Sequence, residues 1–524
     1  MRRLLAAASF LISLALFGLA ITPFPRLHAF LSARAGHSVT AGYVERVHVR
    51  AIVCGSLALL IACGVLIVRI PPAPQEETVD WSIGPVPAAI IAIGAIARAL
   101  DLRGPPHYDE VFTVTEFASR SPLFFLTRYT HPNNHVFHTL LVWIARAAAG
   151  QRLWAIRIPA FIAGIAVLYV VYLLARRLSG ETAALVALAL AAGATPLVEY
   201  SAQARGYTIL TTVFLLLYLV DDDRLRAVLI ALGAWTVPTM LYAAAAWALW
   251  SLATERNWRR LTFVTAAGGA LTFVLYLPII MVTGTDSITA NGNTLSVSYP
   301  VLFRELPRTF VEMATEWSLS FTSGIAIFLG IAAIVAIVRR DRGGLPLGYA
   351  IAAIVSLLLV MRKVPFARVW LFVLPLALIA AAATIASMLP RLPRAVPVVI
   401  AAIIAANAVR LMARDTFVDD PAMYDVAAVS DVIRTLPPDA RVLVTTPLDA
   451  PFAFYLPPER IIQDRFDSDP TAVRAAVLAA PRRYFAASNQ SASMSMYAAL
   501  HLPLRPVIVR RFAHTTLFEL RSEQ

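Results

Sequence analysis

The sequence predicts an all-α polytopic membrane protein, with about 13 transmembrane helices and a small extracytoplasmic α/β domain at its C-terminal end. Three observations predict it. Hydrophobic residues make up 59% of the 524 and charged residues 15%, with a mean hydropathy of +0.70, a balance foreign to soluble globular chains. Apolar runs long enough to cross a bilayer recur as far as residue 412. Beyond it they give way to short apolar segments between turn residues.

In chain order, runs of roughly 17 to 25 residues, the length that spans a hydrocarbon core, lie near 4–22, 51–70, 84–100, 156–175, 182–198, 203–220, 261–282, 320–338, 345–361, 367–387 and 395–412. The run 225–253 is too long for one helix and contains Pro238, so it reads as two. The opening MRR and its apolar run imitate a signal peptide, but no small-residue cleavage site follows, and the run reads as a first helix. Cys54 and Cys63 lie in one apolar run, with neither disulfide-framework nor zinc spacing.

The net charge of +13 is a topology signal. Lys363 is the only lysine among 45 basic residues. Arginines crowd short loops at 176–177, 224–226, 255–260, 339–342 and 390–394, which places those loops in the cytoplasm and gives no support for a nucleic-acid partner. With the N terminus inside, parity holds for every loop if HVFHTLLVWIARAAAG, 135–150, dips into the membrane or lies along it. The loop 101–134, the loop 284–318 and the C-terminal region then lie outside.

Residues 1–412 form the membrane domain and 413–524 the accessory α/β domain. In the latter, apolar segments at 441–446, 483–487 and 507–512 alternate with helix-like stretches at 421–436 and 492–501. It has no P-loop, GxGxxG, zinc or nucleophile-elbow pattern.

PPHYDEVFT, 105–113, sets Asp109 beside Glu110 just after a span. Such a pair suits the first turn of a helix, where the dipole favours acid. It also suits a general base that draws a proton from an acceptor hydroxyl. Several bases break the inside rule and face the same compartment: Arg103, Arg120, Arg128, Arg152, Arg157, Arg205, Arg362, Lys363 and Arg368. Singly they suit snorkelling to lipid headgroups. As a set beside a carboxylate pair they suit a phosphate anchored in lipid, since arginine offers a planar fork and lysine a point charge.

THPNNHVFHT, 130–139, holds His131, His135 and His138, whose helical spacings, with Asp109 or Glu110, leave a divalent metal as an option. Pro132 and the two asparagines favour a turn up to about 134, which breaks the 131–135 geometry and leaves hydrogen bonding as the other role.

The acid pair, the His-Pro segment and RIPAFIAGIAVLYVVYLLARRLSGETAALVALALAAGATPLVEYSAQARGY, 157–207, together resemble the GT-C class of membrane glycosyltransferases, nearest to the protein O-mannosyltransferase and aminoarabinose-transferase type (glycosyltransferase family 39-like). The resemblance covers about 84–260, extends to FARVWLFVLP at 366–375, and is architectural beyond. It implies Asp109 as general base with Glu110 as support. It implies Arg157, Arg205, Lys363 and Arg368 on the donor phosphate, and Tyr108, His131, His135, Glu199, Tyr200 and Tyr207 around the substrate cavity. Departures are Asn133, where the pattern has a second proline, Gln203, where an acid is common, and Thr236-Val237-Pro238 in place of a Thr-His motif.

What the resemblance implies is an inverting glycosyltransferase of the plasma (inner) membrane, with an extracytoplasmic site. A polyprenyl-phosphate sugar is the donor, a glycan, lipid or protein hydroxyl the acceptor, and no cofactor is required. A phospholipid-group transferase or glycan ligase would use the same outer cations and base. A secondary transporter would show repeated halves and mid-membrane ionisable groups, which the sequence lacks.

Overall fold

The computed structural model describes residues 2–67, 79–289, 296–319, 321–391, 420–465, 467–489 and 493–522. The expected span 395–412 and the expected domain border at 412/413 lie outside the described residues. Four helices have the length and composition to cross a membrane: Ala41–Val65, Leu153–Ser179, Trp258–Thr283 and Ala367–Met388. Two bent pairs, Leu4–Ala20 with Phe24–Ala35 (104°) and Tyr299–Ser318 with Ser323–Val338 (113°), raise the number to six. The sequence expectation of about 13 also counted shorter apolar helices, among them Glu181–Gly193, Tyr207–Leu219, Met240–Thr254 and Leu345–Met361.

Proline sets most of the breaks. Pro23, which cannot continue the ladder of the preceding helix, precedes Phe24–Ala35. Pro238 lies between Asp223–Thr236 and Met240–Thr254, dividing the long apolar run where the sequence suggests. Pro196 starts Thr195–Glu199 and cuts the run 182–198 short at Gly193. The stretch 135–150 forms Val136–Ala149, at 14 residues about 21 Å long and shorter than a bilayer core. The expected loop 284–318 contains a 20-residue helix, Tyr299–Ser318, whose charged and apolar residues fall on opposite faces.

The membrane core is a cluster of leucine, alanine, valine and aromatic side chains from Leu153–Ser179, Glu181–Gly193, Tyr207–Leu219, Met240–Thr254 and Leu374–Met388. Three arginines, Arg98, Arg157 and Arg226, are fully buried among these helices. Each is satisfied by groups of its own kind of place. Arg226 pairs with Asp223 at 3.1 Å, within the arginine-rich loop region, whereas Arg98 and Arg157 support the site described below.

The C-terminal part is a five-stranded sheet: β1 (Ala440–Thr445), β2 (Ile461–Asp464), β3 (Arg482–Ser488), β4 (Leu504–Arg511) and β5 (Thr515–Ser522), in the order β2-β1-β3-β5-β4. β1 lies parallel to β2 and β3, and β5 antiparallel to β3 and β4. Strands expected at 441–446, 483–487 and 507–512 are β1, β3 and β4. β2 and β5 went unread because each interleaves polar residues with few apolar ones. The sheet's helix Asp449–Tyr455 packs against Tyr108–Thr113, and Arg465 donates to Glu116 at 2.8 Å, so this domain sits directly against the acid-pair segment.

Candidate active site

Asp109 and Glu110 lie side by side in the sequence and do different work. They fall in the first turn of the short helix Tyr108–Thr113, with His107 as N-cap. Glu110 is the third helical residue, and its carboxylate accepts the His107 backbone N–H at 2.9 Å, closing a capping box. The same carboxylate accepts Arg157 Nε at 3.0 Å, a second Arg157 nitrogen, and the Ala204 N–H at 2.8 Å. Glu110 therefore joins the acid-pair segment, the helix Leu153–Ser179 and the loop before Tyr207. Burial pushes its carboxyl up, but the Arg157 charge and hydrogen bonds outweigh that and hold it below the usual carboxylate range.

Asp109 points the other way. Its side chain is 27% exposed where that of Glu110 is 0%. Arg368 approaches it to 3.2 Å and Arg205 to 3.7 Å, and Asn133 Nδ2 donates to it at 2.9 Å. Burial raises its carboxyl, and Arg205, Arg368 and the Asn133 bond more than reverse this, so the group stays ionised below its ordinary range. With His107, Tyr200, Gln203, Arg205, Tyr207, Glu316 and Arg368 it lines a polar cavity of about 150 Å³.

The four expected phosphate cations separate by how tightly they are held. Arg157 donates to the carbonyls of Asp101, Leu102, Gly104 and Pro105 as well as to Glu110, at distances down to 2.6 Å for Pro105. Its hydrogens are spent on the protein, and it is not among the residues that line the cavity. Lys363 lies outside the cavity, with its Nζ 3.4 Å from the Thr289 carbonyl. Arg205 and Arg368 do reach the cavity. The bonds of Arg205 to Asp109 O, Thr113 Oγ1 and Tyr207 Oη are 3.4, 3.5 and 3.4 Å, beyond the usual range, and its Nε has no partner among the described residues. The Nε of Arg368 is likewise buried and unpartnered there.

Of the residues expected around the substrate, Tyr200 and Tyr207 line the cavity, and the others lie around it. His135 Nδ1 accepts the Gly206 N–H at 2.9 Å and its ring meets Tyr207 edge-on, so it fixes the loop carrying Arg205. Gly206 has no room for a side chain: a Cβ would lie 2.6 Å from Thr236 Cγ2 and 3.1 Å from His135 Nδ1. His131 stacks near Phe112 and accepts the Asn133 N–H at 3.2 Å. Tyr108 packs towards the C-terminal domain, and Glu199 is not in the lining. His138 is buried in Val136–Ala149, and among the described residues no three His, Cys, Asp or Glu side chains gather as metal ligands.

Asn133 and Gln203, two of the three departures from the resembled pattern, are both at the site, one holding Asp109 and one in the lining. His107 and Glu316 were missed. Glu316 had a legible signal, since Leu302, Thr309 and Glu316 recur every seven residues and so share one face of the helix.

Residues 130–281 match the family model of dolichyl-phosphate-mannose-protein mannosyltransferases. No curated protein matches the chain in sequence. Among solved structures the fold is similar to that of ArnT from Cupriavidus metallidurans in the apo state, with a TM-score of 0.54 at 14% identity over 83% of this chain and 99% of that one. It also matches the Archaeoglobus fulgidus oligosaccharyltransferase in complex with Zn and sulfate, at a TM-score of 0.49 and 13% identity over 83% of this chain and 73% of that one. The matching segment, the apolar helices and the common architecture together give this chain the GT-C fold of membrane glycosyltransferases.

Proposed function

We propose that the protein is an inverting glycosyltransferase that moves a sugar from a polyprenyl-phosphate donor to an acceptor hydroxyl. The observation that carries this reading is Asp109 facing two loosely held guanidiniums, Arg205 and Arg368, across a small polar cavity. The family model over 130–281 supports it, because its description names a lipid-phosphate sugar.

In this reading Arg205 and Arg368 take the oxygens of the phosphodiester that joins lipid to sugar. As they turn to the phosphate they leave Asp109, whose carboxylate loses the charges that depress it and becomes a stronger base. Asp109 removes the acceptor's hydroxyl proton while the acceptor oxygen bonds to the anomeric carbon. The bond from that carbon to the phosphate oxygen breaks, its electron pair leaving with polyprenyl phosphate, and attack from the opposite face inverts the centre. The arginines stabilise the charge growing on the leaving phosphate, a preorganised effect worth several kcal/mol.

No nucleotide enters this scheme, and treatment with a chelator tests whether a divalent ion contributes. In this reading the cavity opens on the outer face of the plasma (inner) membrane, a sidedness the arginine-rich loops support, where a lipid-borne donor meets an acceptor glycan, lipid or protein. Purified protein supplied with radiolabelled polyprenyl-phosphate sugars and membrane acceptors tests the scheme. Asp109→Asn is expected to lower transfer by roughly 10²–10⁴-fold, and Arg368→Ala to raise the donor KM while Lys363→Ala leaves it unchanged. Transfer undiminished in Asp109→Asn removes Asp109 as base.

A further inference from the structure

Glu316 is a second carboxylate in the cavity. It sits near the end of the amphipathic helix Tyr299–Ser318. Leu302 and Thr309, at seven-residue spacing from it, are buried, and Leu306, Met313 and Trp317 pack on the membrane core, so Glu316 lies on the inward face of its helix. The other two acids of this helix have cation partners, Glu305 with Arg304 at 2.8 Å and Glu312 with Arg308 at 3.1 Å. Among the described residues the Glu316 carboxylate has neither a hydrogen bond nor an ion pair. The half-buried carboxylate feels the charge of Arg368 and leaves its oxygens open in the cavity, where water or a ligand can donate to them.

We infer that Glu316 is a specificity-determining residue that accepts hydrogen bonds from the hydroxyls of the donor sugar. The inference rests on the donor reading above. The cavity is divided by charge. Arg205 and Arg368 supply cations for the phosphate, while Glu316, Gln203 and the edge-on pair Tyr200 and Tyr207, 5.5 Å apart, supply hydrogen-bonding and ring surfaces. An ionised carboxylate only accepts, so it selects a partner rich in O–H donors. The cavity of about 150 Å³ is the size of a single sugar ring, which sets one monosaccharide between Asp109 and Glu316.

The test compares binding of bare polyprenyl phosphate with that of polyprenyl-phosphate monosaccharides to the full chain in lipid nanodiscs. For the native protein the preferred sugar is expected to tighten binding over the bare lipid by tenfold or more. Glu316→Gln is expected to lose most of that increment and to stop distinguishing the sugar from its single-deoxy analogues, while binding bare polyprenyl phosphate within twofold of the native protein. A full sugar increment in Glu316→Gln overturns the inference and leaves the donor reading standing. Equal loss for bare and sugar-loaded lipid also overturns it, by making Glu316 a support for the phosphate end. No sugar increment in the native protein overturns both.

Discussion

Glu110 and Arg157 face each other in a fully buried ion pair, one residue from the half-buried carboxylate that the proposed chemistry needs. The pair connects three separate pieces of chain, because Glu110 also accepts from His107 and Ala204 and Arg157 also donates to four carbonyls of the approach to the acid pair. Asp109 takes its direction from this anchor.

Removing one partner leaves the other buried and uncompensated. Glu110→Leu and Arg157→Met, each alone, are therefore expected to destabilise the fold by about 3–5 kcal/mol. The double variant Glu110→Leu with Arg157→Met removes both charges and is expected to lose clearly less than the sum of the single losses. Thermal unfolding of the four proteins in one detergent measures this. Additive losses would mean that the two groups do not act as a pair.

The acid pair was visible in the sequence, but its division of labour was not. Two adjacent residues of a helix point about 100° apart, and which one meets the arginine of the helix Leu153–Ser179 depends on a fold the sequence does not spell out. The spans were legible because a bilayer demands long apolar runs and proline marks their breaks. The four expected cations could not be told apart in sequence. A cation at a span end looks the same in sequence whether it awaits a phosphate or caps a loop's carbonyls, and only the bond lengths separate Arg157 from Arg205. Glu316 was missed because its region read as a loop, although its seven-residue spacing with Leu302 and Thr309 was there to be counted.

Asp109 carries the pH dependence. Its carboxyl titrates below the ordinary carboxylate range in the free protein, with Asn133 among the causes, so the base is present above that range and is lost as pH falls through its own pKa. The acid limb of kcat/KM, which reports the free enzyme, is expected to lie below the ordinary carboxylate range. Asn133→Leu removes the 2.9 Å bond to the carboxylate and is expected to move that limb to higher pH. A pH–rate profile of both proteins decides it, and a limb that stays in place or moves down would show that Asn133 does not tune Asp109.

Arg98 sets the loop that delivers Arg205. Pro196 lacks the N–H that would complete the turn ending at Gly193, and the freed carbonyls of Ala191 and Ala192 each accept from Arg98 at 3.3 Å. Arg98 Nε also donates to Ser201 Oγ at 3.1 Å, and Ser201 is so closely packed that a Cβ on Gly164 would lie 2.0 Å from its oxygen. The cation thus lies at the negative end of Glu181–Gly193 and holds the first residues of the Ser201–Arg205 loop. Arg98→Met leaves three buried acceptors short of a donor, at about 1–3 kcal/mol for each one that finds no other. It is expected to lower thermal stability and to raise the donor KM more than it lowers kcat, since in the proposed scheme Arg205 takes the donor phosphate, while Asp109 is anchored separately by Glu110. Arg98→Lys, which can reach fewer of these acceptors, is expected to recover part of both. A kcat loss at unchanged KM, or full recovery by lysine, would place Arg98 outside this positioning role.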